Sequence, residues 1–244
     1  MGRIFSILAL FAMLYYGQAG AAASKPVHIT ASSWLVADKD GRIIQGENTE
    51  QQRSIASITK LMTVMVVLDA QQDLTKFIKP YTRLELIQLA MVRSDNHAAQ
   101  VLCDNYPGGN HDCIRAMNIK AKQLGLTKTR YTDPTGLGVM NVSTAEELIK
   151  IVIAAQNYPV IVQASKMSAV KIEIKKKWLV FHNTNPIIGK RHDFIVSKTG
   201  YIRASGGCIV MMLDTEIGRR IVVVLGSRNT HTRIPEAEFI ATKD

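Results

Sequence analysis

The chain is short of several things that would place it quickly. Three cysteines among 244 residues are too few for a disulfide-built scaffold, and they do not fall at paired zinc-ligand spacings. The six histidines are scattered, so neither a metal nor a cofactor is expected. With 16 glycines and 7 prolines, collagen-like and low-complexity classes are excluded. Acidic residues are the scarcer charge: 20 against 30 Lys and Arg, a formal +10. Internal repeats, long linkers and composition breaks are absent after residue 24. What is present is apolar residues, at 47%. That fraction suffices to bury a core and excludes intrinsic disorder.

The one long apolar run lies at the start. Arg3 precedes Ile4–Tyr16, which only Ser6 interrupts, and small residues fill 17–23. This order reads as a secretory signal peptide over residues 1–23, cut near Ala21 or Ala23. A membrane span would need about 20 apolar residues. The expected location is therefore periplasmic or secreted, with a single domain over 24–244. Loss of Arg3 leaves +9. Export argues against nucleic acid as a partner, as does the lack of basic runs interleaved with aromatics. The densest basic cluster, Lys175-Lys176-Lys177-Trp178, reads as a solvated strand end. An oxidising compartment permits a disulfide. Cys103 and Cys113 flank a Pro107-Gly108-Gly109 turn and are expected to pair, leaving Cys208 buried and free in an apolar run.

The fold class reads as α+β. Ile29–Ala37 and Arg42–Gln45 form a hairpin pattern around Asp38-Lys39-Asp40-Gly41. Ile58–Ala70 is apolar on nearly every face, which marks a buried helix. Helices are expected over Arg83–Val92, His97–Asn105 and Ile114–Leu124. A further one follows a capping box at Ser143-Thr144-Ala145-Glu146 and runs to about Ala155. Phe194–Thr199, Gly207–Leu213 and Arg219–Leu225 read as strands. Strands from both chain ends must then share one sheet, with helices inserted between them.

Three motifs carry chemistry: Ser57-Ile58-Thr59-Lys60, Ser94-Asp95-Asn96 and Lys198-Thr199-Gly200. Each is weak alone. Ser168-Ala169-Val170-Lys171 also fits S-x-x-K, but it opens an alternating run that reads as a strand. There, residues three apart point to opposite faces. Ser227-Arg228-Asn229 comes after the Lys-Thr-Gly motif and closes a strand. On a helix, Lys60 shares a face with Ser57 and can take its proton if burial disfavours the ammonium. The helix start offers N–H groups for an oxyanion. Ser94 and Asn96 sit in a break between helices, and Gly200 lets another backbone come close.

The three motifs in this order resemble those of the penicillin-recognising serine D,D-peptidases (peptidase S11 type), most closely D-alanyl-D-alanine endopeptidases of the penicillin-binding protein 7 type. The resemblance spans most of residues 30–230. It includes Ala56–Ala70, Tyr106–Gly109, Arg115–Leu126, Asp133–Leu137, Asn141–Leu148, His182–Asn185 and Ser197–Tyr201. It implies a β-lactamase/transpeptidase-like fold, a five-stranded antiparallel sheet against a helical region. It also implies Ser57 as nucleophile, Lys60 as its base, Ser94 relaying protons with Lys198, and Asn96 on the substrate amide. Thr199 would bind the terminal carboxylate, beside Gly200, and the N–H groups of Ser57 and Tyr201 would hold the oxyanion. The implied partners are peptidoglycan peptide stems, with β-lactam antibiotics as inhibitors. The residual charge suggests peripheral contact with anionic envelope surfaces. Two departures stand out. Only 33 residues separate Lys60 from Ser94, and the chain ends soon after the last strand. Arg203 is read as a surface arginine rather than a carboxylate contact, and His97 as a helix-start residue. The competing functions are a serine β-lactamase, for which an E-x-x-x-N pattern is lacking, and a catalytically inactive cell-wall-binding relative.

Overall fold

The structure is a computed structural model that describes residues 27–243. The expected signal peptide, residues 1–23, lies outside the described residues. Strand β1 (Ser33–Asp38) turns into β2 (Ile43–Glu47). The Asp38 carboxylate closes that turn by accepting from the N–H groups of Asp40 and Arg42, both at 2.9 Å. Six helices follow: α1 (Thr59–Asp69), α2 (Arg83–Gln88), α3 (Asn96–Asp104), α4 (Gly109–Gln123), α5 (Ala145–Ala155) and α6 (Pro159–Lys166). A hairpin of β3 (Ala169–Ile174) and β4 (Lys177–His182) leads to β5 (Asp193–Ile202), β6 (Gly206–Thr215), β7 (Gly218–Ser227) and helix α7 (Arg233–Thr242).

The main sheet runs β2-β1-β7-β6-β5, and every neighbouring pair is antiparallel. The N-terminal strands thus pair with the C-terminal ones, as the pattern at the two chain ends required. One face of the sheet (Leu35, Val210, Met212, Ile221, Val223) buries against α1 and the other inserted helices. Helix α1 is buried from Thr59 to Val67, which explains its lack of a polar face. The opposite face (Val36, Ile209, Met211, Val222, Val224) packs under α7 through Ile234, Ala237 and Ile240. A seven-residue run such as Gly207–Leu213, buried throughout, is what a sheet covered on both faces demands.

Several boundaries differ from the sequence reading, each for a local reason. Helix α1 is preceded by a 3₁₀ turn over Ala56–Ile58. The helix expected over Arg83–Val92 is α-helical only to Gln88, then widens to a π turn over Leu89–Arg93. Helix α4 starts at Gly109, earlier than Ile114, because the Gly108 backbone turns left-handed at φ 83°. The expected capping box does not form, and the cap is Thr144, one residue later. Thr144 accepts from the Glu147 N–H at 3.1 Å, while the Glu147 carboxylate accepts from the N–H groups of Thr127 and Lys128. Helix α7 was not expected. Cys103 is bonded to Cys113, tying α3 to α4, and Cys208 is free and buried. Among the described residues no single helix is long and apolar enough to cross a membrane.

Candidate active site

The site forms where the edge strand β5 meets the 3₁₀ turn before α1. Ser57 lies in the middle of that turn, and its neighbour Ala56 is held at φ 46°. A non-glycine residue there is strained by about 1–3 kcal/mol. Two glycines leave the space that this conformation needs. A Cβ built on Gly136 would stand 1.9 Å from the Ala56 carbonyl oxygen, and one on Gly200 would stand 2.9 Å from the Ser57 nitrogen. Gly200 therefore does what its motif position suggested.

Lys60 is completely buried and has three partners: Ser57 Oγ at 2.8 Å, Asn96 Oδ1 at 2.7 Å and the Thr135 carbonyl at 2.6 Å. The last two only accept. A neutral amine has two N–H bonds, so once both are donated its lone pair faces the Ser57 hydroxyl. Burial drives the Lys60 pKa from 10.5 down to about 7, against the opposing pull of Asp133 and Asp95.

The carbonyl of Thr135 is fixed by its own loop. Asp133 Oδ1 accepts from the N–H groups of Thr135 and Gly136 at 2.8 and 2.7 Å. Asn141 pins the loop to α1, donating to Thr59 Oγ1 and the Asp133 carbonyl. The Asp133 carboxylate is thereby occupied with backbone.

On the other side, the π turn delivers Ser94 at φ 60°, and Asp95 caps α3 by accepting from the Ala98 N–H at 2.8 Å. This puts Asn96 on the first turn, facing Lys60. Lys198, nearly fully buried, donates to Ser94 Oγ at 2.7 Å and to the Thr199 carbonyl at 3.0 Å. Burial, then the charges of Lys60 and Arg233, push its pKa well below the usual lysine value. Thr199 Oγ1 lies 2.6 Å from Thr184 Oγ1.

A cavity of about 230 Å³ is lined by Ser57, Ser94, Asn96, Thr199, Gly200 and Tyr201, with Lys60 and Lys198 bonded behind it. All eight residues singled out from the sequence converge here. Arg203 and His97 are exposed and do not line it. Arg233, at the start of α7, is the cation that lines it. It donates Nη1 to the Gly200 carbonyl at 2.8 Å and leaves a buried Nε without a partner. Thr184 and Leu137 also line the cavity and fall within the resembling stretches His182–Asn185 and Asp133–Leu137, whereas Arg233 and Thr230 line it with no short motif to reveal them. The decoy Lys171 is exposed on β3, as its alternation implied.

A hydroxyl against a buried amine, beside a second amine and free cavity space, can form and resolve an acyl intermediate. Fold and site together are those expected of a serine peptidase, with a lysine amine standing where a base would be needed. The chain matches the D-alanyl-D-alanine carboxypeptidase family over residues 19–79 and 75–229. It is similar to D-alanyl-D-alanine endopeptidase of Escherichia coli, 33% identical over 98% of this chain and 86% of that one. The Pseudomonas aeruginosa D-alanyl-D-alanine endopeptidase is 34% identical over 96% and 86%. Among solved structures, penicillin-binding protein D2 from Listeria monocytogenes in its cefotaxime-bound form aligns with TM-score 0.76 at 24% identity, covering 88% of this chain and 97% of that one. The chain belongs to the D-alanyl-D-alanine carboxypeptidase family, peptidase S11.

Proposed function

We propose that this chain hydrolyses D-alanyl peptide bonds of peptidoglycan through an acyl-enzyme on Ser57, cutting cross-links in preference to removing terminal D-alanine. The observation that carries the chemistry is the Lys60 contact set, in which two fixed acceptors turn the amine's lone pair toward Ser57 Oγ. Lys60 Nζ takes the Ser57 proton as Oγ bonds to the D-alanyl carbonyl carbon. The N–H groups of Ser57 and Tyr201 face the oxygen as it gains charge. The C–N bond then breaks as the proton held on Lys60 passes by way of Ser94, which Lys198 holds in place, to the leaving nitrogen, leaving Lys60 neutral again. Water repeats the sequence on the acyl-enzyme and frees Ser57. Asn96 orients the acyl-side amide. Thr199 and Arg233 supply a hydroxyl and a cation for the carboxylate beside the scissile nitrogen.

β-Lactams, whose strained amide meets the same hydroxyl, act as inhibitors in this reading. A β-lactamase of the class A kind activates its deacylating water with a glutamate carboxylate. Asp133, the carboxylate of the loop under Ser57, is taken up by backbone N–H groups, which favours a peptidase. The preference for cross-links rests on the likeness to the two endopeptidases. Residues 1–23 act as a cleaved signal peptide, the enzyme works outside the cytoplasm, and its net positive charge keeps it near anionic envelope polymers.

Digesting purified cross-linked muropeptides and weighing the products tests this. The expected products are two monomers, each with an intact tetrapeptide. Loss of single D-alanines with the dimers left whole would contradict the endopeptidase preference.

A further inference from the structure

The cavity over Ser57, at about 230 Å³, falls below the roughly 300–1,000 Å³ of ordinary ligand sites. It has room for a terminal D-alanine but not for a second peptide. A larger depression, about 600 Å³, adjoins it between the 183–191 loop and the start of α7. The two share Thr184, Thr230 and Arg233, so the depression opens at the Thr199–Arg233 end of the site. Its walls divide by chemistry. Pro186, Ile187, Ile234 and Pro235 give an apolar floor, while Arg191 and His231 stand at the rim. The one carboxylate there, Glu238, is already engaged by Arg191 at 3.3 Å and His192 at 3.4 Å. Arg191 remains two-thirds exposed, so its other N–H groups face solvent and the groove.

We propose that this groove is the subsite for the leaving half of a cross-linked substrate, a second peptide stem. The inference rests on the D,D-peptidase reading of Ser57. In a cross-link the scissile nitrogen ends an aliphatic side chain of the neighbouring stem, which carries further carboxylates. In a terminal dipeptide the same nitrogen belongs to one D-alanine. With the carboxylate next to that nitrogen at Thr199 and Arg233, the aliphatic segment runs over Ile187 and Ile234. The carboxylates of the second stem then reach Arg191. The groove is thus the part of the molecule that would distinguish cross-link cleavage from trimming.

The test compares three reactions of the full chain: penicillin acylation of Ser57, release of D-alanine from a monomeric pentapeptide stem, and cleavage of a cross-linked dimer. Arg191→Glu reverses the rim charge, and His231→Trp fills the groove from an exposed position. Each is expected to lower kcat/KM on the dimer at least tenfold while acylation and monomer trimming stay within twofold. Dimer cleavage unchanged in both variants would overturn the proposal. So would a parallel loss of all three reactions in both. A wild type that neither takes up penicillin nor cuts either substrate would instead overturn the underlying peptidase reading.

Discussion

Lys60 concentrates the chemistry of the site in one amine. Its folded pKa lies near 7, below the ordinary 10.5, because burial penalises the ammonium more than Asp133 and Asp95 support it. The base form is the neutral one. Acylation of Ser57 is therefore expected to rise about tenfold per pH unit below 7 and to level off above it. A stopped-flow series with a chromogenic β-lactam between pH 5.5 and 9 measures this, and a flat profile would contradict it. The same shift has a stability consequence of defined sign. Between about pH 7 and 10.5 the unfolded chain holds a proton on Lys60 that the folded one has lost, so stability contributed by this group rises with pH. At this scale the motif residues were legible because serine, lysine and asparagine side chains announce their chemistry. The Thr135 carbonyl was not, since every residue has one and only the Asp133 and Asn141 bonds place it. Nor was Arg233, because its nearness to Gly200 is made by a helix that begins after the last strand.

Secondary-structure elements set how those side chains meet. The hairpin of β1 and β2 and the strands β5–β7 could be read from apolar runs and turn residues, whereas the antiparallel pairing of the whole sheet was implied only by the family resemblance. The alternation along β3 set Ser168-Ala169-Val170-Lys171 apart from the S-x-x-K whose serine lines the cavity. Helix α7 escaped notice because Pro235 and three charged side chains interrupt its apolar face. Yet the unbroken apolar run in β6 implied cover on both faces of the sheet. The π turn over Leu89–Arg93 has no residue signature, although it is what swings Ser94 toward Lys198. The α3–α4 junction gives a direct check. Denatured protein should titrate one thiol without reductant, from Cys208, and three after reduction. Replacing Cys103 and Cys113 by serine should lower stability by about 2–3 kcal/mol for so short a loop. Equal thiol counts before and after reduction would remove the bridge.

Across the whole molecule, the scarcity of acidic residues acquires a meaning that composition alone could not supply. A charge of +10 fits nucleic acid as well as any polyanion. Two of its positive charges, Lys60 and Lys198, are buried in the site, with pKa values displaced by that burial. Arg83 and Arg233 are buried as well, and most of the other described cations lie on a surface with no nucleic-acid pattern, which suits retention by an acidic envelope polymer. Pelleting with purified cell wall should weaken between low and high salt, because screening shortens the reach of surface charge to about 3 Å at 1 M. Pelleting that does not change would refute the electrostatic account. The central claim, that Ser57 becomes acylated with Lys60 as its base, is tested most directly by mass. After exposure to penicillin, wild-type protein should gain the mass of one antibiotic molecule on the peptide containing Ser57, and Ser57→Ala should gain none. Equal labelling of both proteins would contradict it.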